Sequence, residues 1–90
     1  MYKVIDNTAR QRFEMEAEGD ISFIDYYRQG KVLVMTHAEV PHEMNGRGLG
    51  TAMVKGALDI VREREEKVIP SCPFVAIYIR RHPEYQSLLS

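Results

Sequence analysis

An α/β (α+β) fold, a mixed sheet of four antiparallel strands followed by helix, strand and helix, is predicted by three features of the sequence. The first forty residues break into β-type runs separated by turn residues. After Pro41 the apolar spacing changes from two to three and four. A short run, Lys67-Val68-Ile69, is then stopped by Pro70 and leads into a second helical stretch. Short turns favour antiparallel pairing of the first four strands, and a crossover helix favours parallel pairing of the fourth with the strand after it.

Taken in order, residues 2–5 form a short first strand. Phe13, Met15 and Ala17 alternate with Glu14, Glu16 and Glu18, the pattern of a half-buried strand. Gly19-Asp20 turns the chain into residues 21–27, rich in the aromatic and β-branched side chains that strands prefer. Gln29-Gly30 marks the next turn, and residues 31–39 follow. Within them Val32-Leu33-Val34-Met35 predicts a strand buried on both faces. Leu49, Ala52, Met53, Gly56, Ala57, Ile60 and Val61 make one stripe of an amphipathic helix, with Lys55, Asp59, Arg62 and Glu63 facing outward. Such a stripe reads as core packing before it reads as a binding face. Pro73 suits the first turn of a second helix reaching about Arg81, and His82-Pro83 ends it.

Ninety residues suit one domain, 1–90. A chain of this size buries only roughly 60–65% of the surface its unfolded form exposes, so modest stability is expected. A net charge of −1 offers no basic stripe for a phosphate backbone, and no nucleic-acid partner is expected. No apolar run approaches the ~20 residues of a membrane span, and no signal-peptide core opens the chain. The single cysteine, Cys72, allows no internal disulfide. The expectation is a cytoplasmic monomer without a metal.

Asn45-Gly46-Arg47-Gly48-Leu49-Gly50 stands between a strand and the long helix. Glycines permit positive φ and close backbone approach, and the free amides and dipole of a helix start attract phosphate oxygens. Such turns also serve packing alone. A Walker loop would carry Gly-Lys before Ser or Thr, whereas here Gly50 precedes Thr51. A dinucleotide fingerprint needs another glycine spacing and a preceding first strand.

The loop resembles the acyl-CoA pyrophosphate loop of the GNAT acetyltransferase superfamily, Q/R-x-x-G-x-G/A, and the element order is similar to that superfamily's core. Three segments resemble its very small, single-domain branch: Thr36-His37-Ala38-Glu39-Val40-Pro41, Gly46-Arg47-Gly48-Leu49-Gly50, and Ser71-Cys72-Pro73-Phe74-Val75 through Tyr78 to Arg81-His82-Pro83-Glu84-Tyr85. They span about half the chain. Asn45 departs from the usual Gln or Arg at the first loop position, which puts one phosphate contact in doubt. The resemblance implies acetyl-CoA (coenzyme A) as co-substrate, its pyrophosphate on amides from about Gly46 to Thr51. It implies a pantetheine arm along the fourth strand near Val40, in a splay from Val68-Ile69. Full-sized members carry two helices after the first strand. Here the chain passes almost directly to the next strand, so an open acceptor side is expected.

Cys72 precedes the first residue of a helix, whose dipole favours a thiolate. It is open to three readings: acyl-accepting nucleophile, general acid toward the CoA thiolate, or buried packing. Tyr78 is either the general acid that many GNAT enzymes place on this helix or a tyrosine capping the core. His37 and Glu39, two apart, share a strand face where the superfamily often places a base for the acceptor amine; a solvated strand end is the plainer account. Arg80, Arg81 and His82 are candidates for the ribose phosphate or simply exposed charges at a helix end. The function expected is transfer of acetyl to an amine acceptor. The alternative is a CoA-binding module without turnover, such as an acyl-CoA sensor.

Overall fold

A computed structural model describes residues 2–41 and 48–90. Its elements are β1 (Val4–Asn7), β2 (Arg12–Ala17), β3 (Asp20–Gln29), β4 (Val32–Glu39), α1 (Leu49–Glu63), β5 (Lys67–Pro70) and α2 (Pro73–Arg81), followed by a 3₁₀ helix over Pro83–Leu88. The strands form one sheet in chain order, β1 to β4 antiparallel and β5 parallel to β4. This is the predicted fold class.

Alternation along the strands decides what is buried. Phe13, Met15, Ile24, Leu33 and Met35 point to one side of the sheet and are at most 1% exposed. Both helices lie on that side. α1 is pressed onto β1 at Gly56, where a Cβ would stand 2.5 Å from Cγ2 of Val4. Its far end is tied down by Asp6, which accepts from Arg64 Nη1 at 2.8 Å and from the Tyr26 hydroxyl at 2.6 Å. Burial and the bond to Asp6 push Tyr26 up to about 12. Among the described residues no helix lies on the other side.

Several boundaries and faces differ from the sequence reading. The first strand is Val4–Asn7 rather than 2–5, because pairing with β2 runs from Val4–Met15 to Asn7–Arg12. β3 is longer than 21–27, since its ladder with β4 continues to Gln29. On α1, Val54 and Leu58 are fully buried, Ala52 is exposed, and Gly56 and Ile60 are half-buried. At 100° per residue the buried face is rotated by roughly 70° from the predicted stripe. The cause is that α1 packs both on the sheet and against the chain's last segment, which adds contacts on one flank. That segment was not anticipated: the 3₁₀ helix buries Tyr85 and Leu88, and Leu89 bridges to Val68 along the outer edge of β5.

Candidate functional site

The end of β4 is freed from its neighbour by two local devices. Pairing with β5 covers only Val32 to Met35 against Lys67 to Pro70. Pro70 has no N–H to extend a ladder, and the Cys72 amide donates to the Met35 carbonyl at 2.9 Å, closing the turn into α2. On its other side β4 pairs with β3 through a register shift, Asp25 opposite His37 but Tyr26 opposite Met35. Thr36 is therefore bulged, and a bulge turns the strand beyond it. β4 and β5 part above Met35 and Pro70. The sequence expectation of a splay from Val68-Ile69 is corrected here, since both residues are still paired, with Leu33 and Val34.

Two helix starts face this opening. Gly48 is the N-cap of α1 with φ 75°, a left-handed conformation that favours glycine, and it supplies no side-chain cap. The first turn holds no acidic residue, so its amides are not neutralised from within the helix. Gly50 explains its own side chain's absence. A Cβ there would lie 2.9 Å from Cζ of Phe74 and 3.0 Å from Cγ2 of Val40. Gly50 is thus where the end of β4, the start of α1 and the start of α2 meet. Asn45, Gly46 and Arg47 lie outside the described residues, leaving Gly48, Leu49, Gly50 and Thr51 as the part of the loop whose geometry is known.

Cys72 is the N-cap of α2, with Pro73 in the first helical position. It is 5% exposed and belongs to the core cluster, at the floor of the splay. Tyr78 is buried between the helices. Its ring stacks on His82 with centroids 3.9 Å apart and tilts against Tyr85 at 5.7 Å. The Tyr85 hydroxyl donates to Asp59 Oδ1 at 2.7 Å, and Asp59 Oδ2 accepts from Lys55 at 2.9 Å. Burial raises Tyr78, and burial with the bond to Asp59 pushes Tyr85 up to about 12. Burial acts to raise Asp59 as well, but the bonds from Tyr85 and Lys55 outweigh it and hold the carboxyl below its usual range. His82 Nδ1 donates to the Tyr78 carbonyl at 2.8 Å, so a neutral ring keeps Nε2 as acceptor.

His37 and Glu39 share a face of β4 and meet at 3.0 Å, both more than half exposed. That face is the one without helices. The structure therefore separates the candidate groups: Cys72 below the splay, Tyr78 between α1 and α2, and the His37–Glu39 pair on the open side. A cleft of about 310 Å³ borders Thr51, Phe74, Tyr78, Arg81 and His82, placing Arg81 and His82 on the same side as the start of α1. Arg80 is exposed and lies outside this lining. The sequence reading missed Phe74 as the partner of Gly50 and Asp59 as the partner of Tyr85. Nothing local marks the Asp59–Tyr85 contact, which joins residues 26 apart.

Comparison with known proteins agrees with this architecture. Residues 12–88 match the family described as GCN5-related N-acetyl-transferase. Protein NATD1 of Mus musculus is 32% identical over 89 residues, covering 96% of this chain and 81% of its own. Protein NATD1 of Homo sapiens is also 32% identical, covering 96% of this chain and 79% of its own. The solution NMR structure of a GCN5-like protein from Staphylococcus aureus superposes with a TM-score of 0.73 at 22% identity, over 98% of this chain and 87% of that one. At that identity the likeness concerns the fold.

Proposed function

The chain belongs to the GCN5-related N-acetyltransferase family, and on that premise we propose that it binds acetyl-CoA at the start of α1 and passes the acetyl group to an amine. The observation that carries the reading is the uncapped, glycine-built first turn of α1 beside the β4–β5 splay. Gly48, Leu49, Gly50 and Thr51 supply the amides for the pyrophosphate, and residues 45–47 are proposed to continue the same loop. The edge of β4 near Val40 receives the pantetheine arm, because among the described residues its backbone groups there have no strand partner on the β5 side.

In the proposed reaction a neutral amine forms a C–N bond to the thioester carbonyl and the C–S bond breaks. One proton leaves the amine, and one reaches the departing sulfur. His37 with Glu39 takes the first. For the second, Cys72 lies at the splay, whereas the Tyr78 ring packs with Tyr85 and His82 between the helices. Cys72 is therefore the better-placed donor of the two. The exposure of His37 and Glu39 favours a second reading, a CoA-binding module without turnover, since both side chains are more than half open among the described residues.

Thr51→Glu tests the core of this proposal, the anion site. An acid in the first turn of a helix stabilises it by about 0.3–1 kcal/mol, yet it would repel phosphate. The expected result is an apo melting temperature unchanged or raised, with loss of the melting shift that CoA and acetyl-CoA give the parent protein. A Thr51→Glu variant that keeps the full shift removes the α1 start from the site. Thiol release from acetyl-CoA with an amine panel then separates the transferase from the module.

A further inference from the structure

The cleft that borders Thr51 is built along one stripe of α2. Its lining is Thr51, Phe74, Ile77, Tyr78, Arg81 and His82, around about 310 Å³. Phe74, Ile77, Tyr78 and Arg81 recur at spacings of three and four, so they share a face of the helix. The stripe begins at the Phe74 ring, which stands against Gly50 in the first turn of α1. It ends at Arg81, in the last turn of α2. The helix rises by about 10 Å between Phe74 and Arg81. A ligand that touches both ends is therefore longer than a single phosphate.

Two properties of the lining define what fits. The walls are apolar yet open, with Phe74 and Ile77 43% and 40% exposed, and Tyr78 and His82 enter as a stacked pair. Arg81 is the one permanently charged residue of the lining, and among the described residues it makes no hydrogen bond, ion pair or ring contact. The neighbouring charges do not replace it. Lys55 is held by Asp59 at 2.9 Å, and Asp59 also accepts from Tyr85. Glu84 acts on Tyr78 from the 3₁₀ helix but is not part of the lining, and neither is Arg80. An unengaged guanidinium offers a planar fork of donors that matches a phosphate monoester, and apolar walls suit a purine nucleoside.

We propose that Arg81 reads the 3′-phosphate of coenzyme A, and that the apolar walls hold the adenosine between this phosphate and the pyrophosphate at the start of α1. The inference rests on the acyl-CoA reading and sharpens its donor class. A thioester whose phosphopantetheine is attached to a carrier protein brings neither adenosine nor 3′-phosphate, and it leaves Arg81 unmatched. The donor is therefore free acyl-CoA, in preference to its 3′-dephospho form or to a carrier-bound thioester. Arg81, and not Arg80, makes that choice.

Calorimetry with CoA, 3′-dephospho-CoA and 4′-phosphopantetheine, on the parent protein, Arg81→Gln and Arg80→Gln, tests this. On the parent, CoA should bind about tenfold tighter than dephospho-CoA, with phosphopantetheine weakest. Arg81→Gln should weaken CoA by about tenfold, to the level of dephospho-CoA, whose own affinity should stay within about twofold. Arg80→Gln should change neither. The advantage of CoA should shrink at roughly 1 M salt, where the Debye length falls to about 3 Å. Equal affinity of the parent for CoA and dephospho-CoA overturns the proposal. So does an Arg81→Gln loss shared by both ligands, which is what a merely structural arginine would give, or an equal loss in Arg80→Gln. Phosphopantetheine binding as tightly as CoA removes the adenosine from the cleft. Binding of none of the three ligands overturns the underlying acyl-CoA reading, a pattern distinct from lost discrimination alone.

Discussion

The two faces of the sheet are made from alternate residues of the same strands, yet their fates are opposite. On one, Phe13, Met15, Ile24, Leu33 and Met35 are sealed by α1 and α2. On the other, Ile5, Ile21, Tyr27 and Ile69 stay between 38% and 52% exposed. Among the described residues the helices cover one side only. The covered face supplies the cohesion of the domain, and the open face keeps large apolar side chains in contact with solvent among the described residues. The splay lies at the boundary, where β4 leaves β5 above Met35 and Pro70.

The contrast can be broken first by Phe13→Ala on the covered face. Removing a fully buried aromatic should destabilise by about 3–5 kcal/mol, a large share of what a small domain has, and chemical denaturation would read it. A loss under 1 kcal/mol would mean that the covered face is not the core. Next in size is Gly50→Val at the boundary. Its side chain would collide with Phe74 and Val40, at a cost of about 1–3 kcal/mol, and the CoA melting shift should go with it. Retention of the shift would show that the three elements need not meet there.

Alkaline titration sharpens the comparison further. Tyr26 and Tyr85 both hold their protons to about 12 in the folded chain, each on the covered side. A raised folded pKa contributes stability in full below the ordinary tyrosine value of about 10 and loses it as pH rises toward 12. Melting temperatures should fall across that window, and Tyr85→Phe should flatten part of the decline. An identical decline in the variant would detach Tyr85 from it. The smallest effect belongs to the open face. Ile21→Ser should change stability by no more than about 0.5 kcal/mol, read by the same melting temperatures, and a larger loss would show that the open face contributes to the core.

Much of the fold was legible because it rests on local periodicity. The alternation of Phe13, Met15 and Ala17 matches their burial, and α2 begins at Pro73 and ends at Arg81 as its proline signals indicate. The site was legible less evenly. Glycines between a strand and a helix marked the start of α1, but the splay was placed too low on β5. The reason is that Pro70 still pairs, and only the next turn departs. The Thr36 bulge carries no sequence signal, since a one-residue register shift depends on both strands at once.

By itself the sequence determined what depends on near neighbours: strand and helix identity, the turn glycines, the proline stops, and antiparallel pairing through short connections. Tertiary structure alone decided the rest. The buried flank of α1 turned toward Val54 and Leu58 because the last segment packs beside it. Gly50 became obligatory because Phe74 and Val40 arrive there from other elements. Tyr78 was drawn between the helices because Tyr85 and Asp59 meet beside it, across 26 residues of chain. Such contacts are set by the shape in which the whole chain closes its core, which no local pattern encodes.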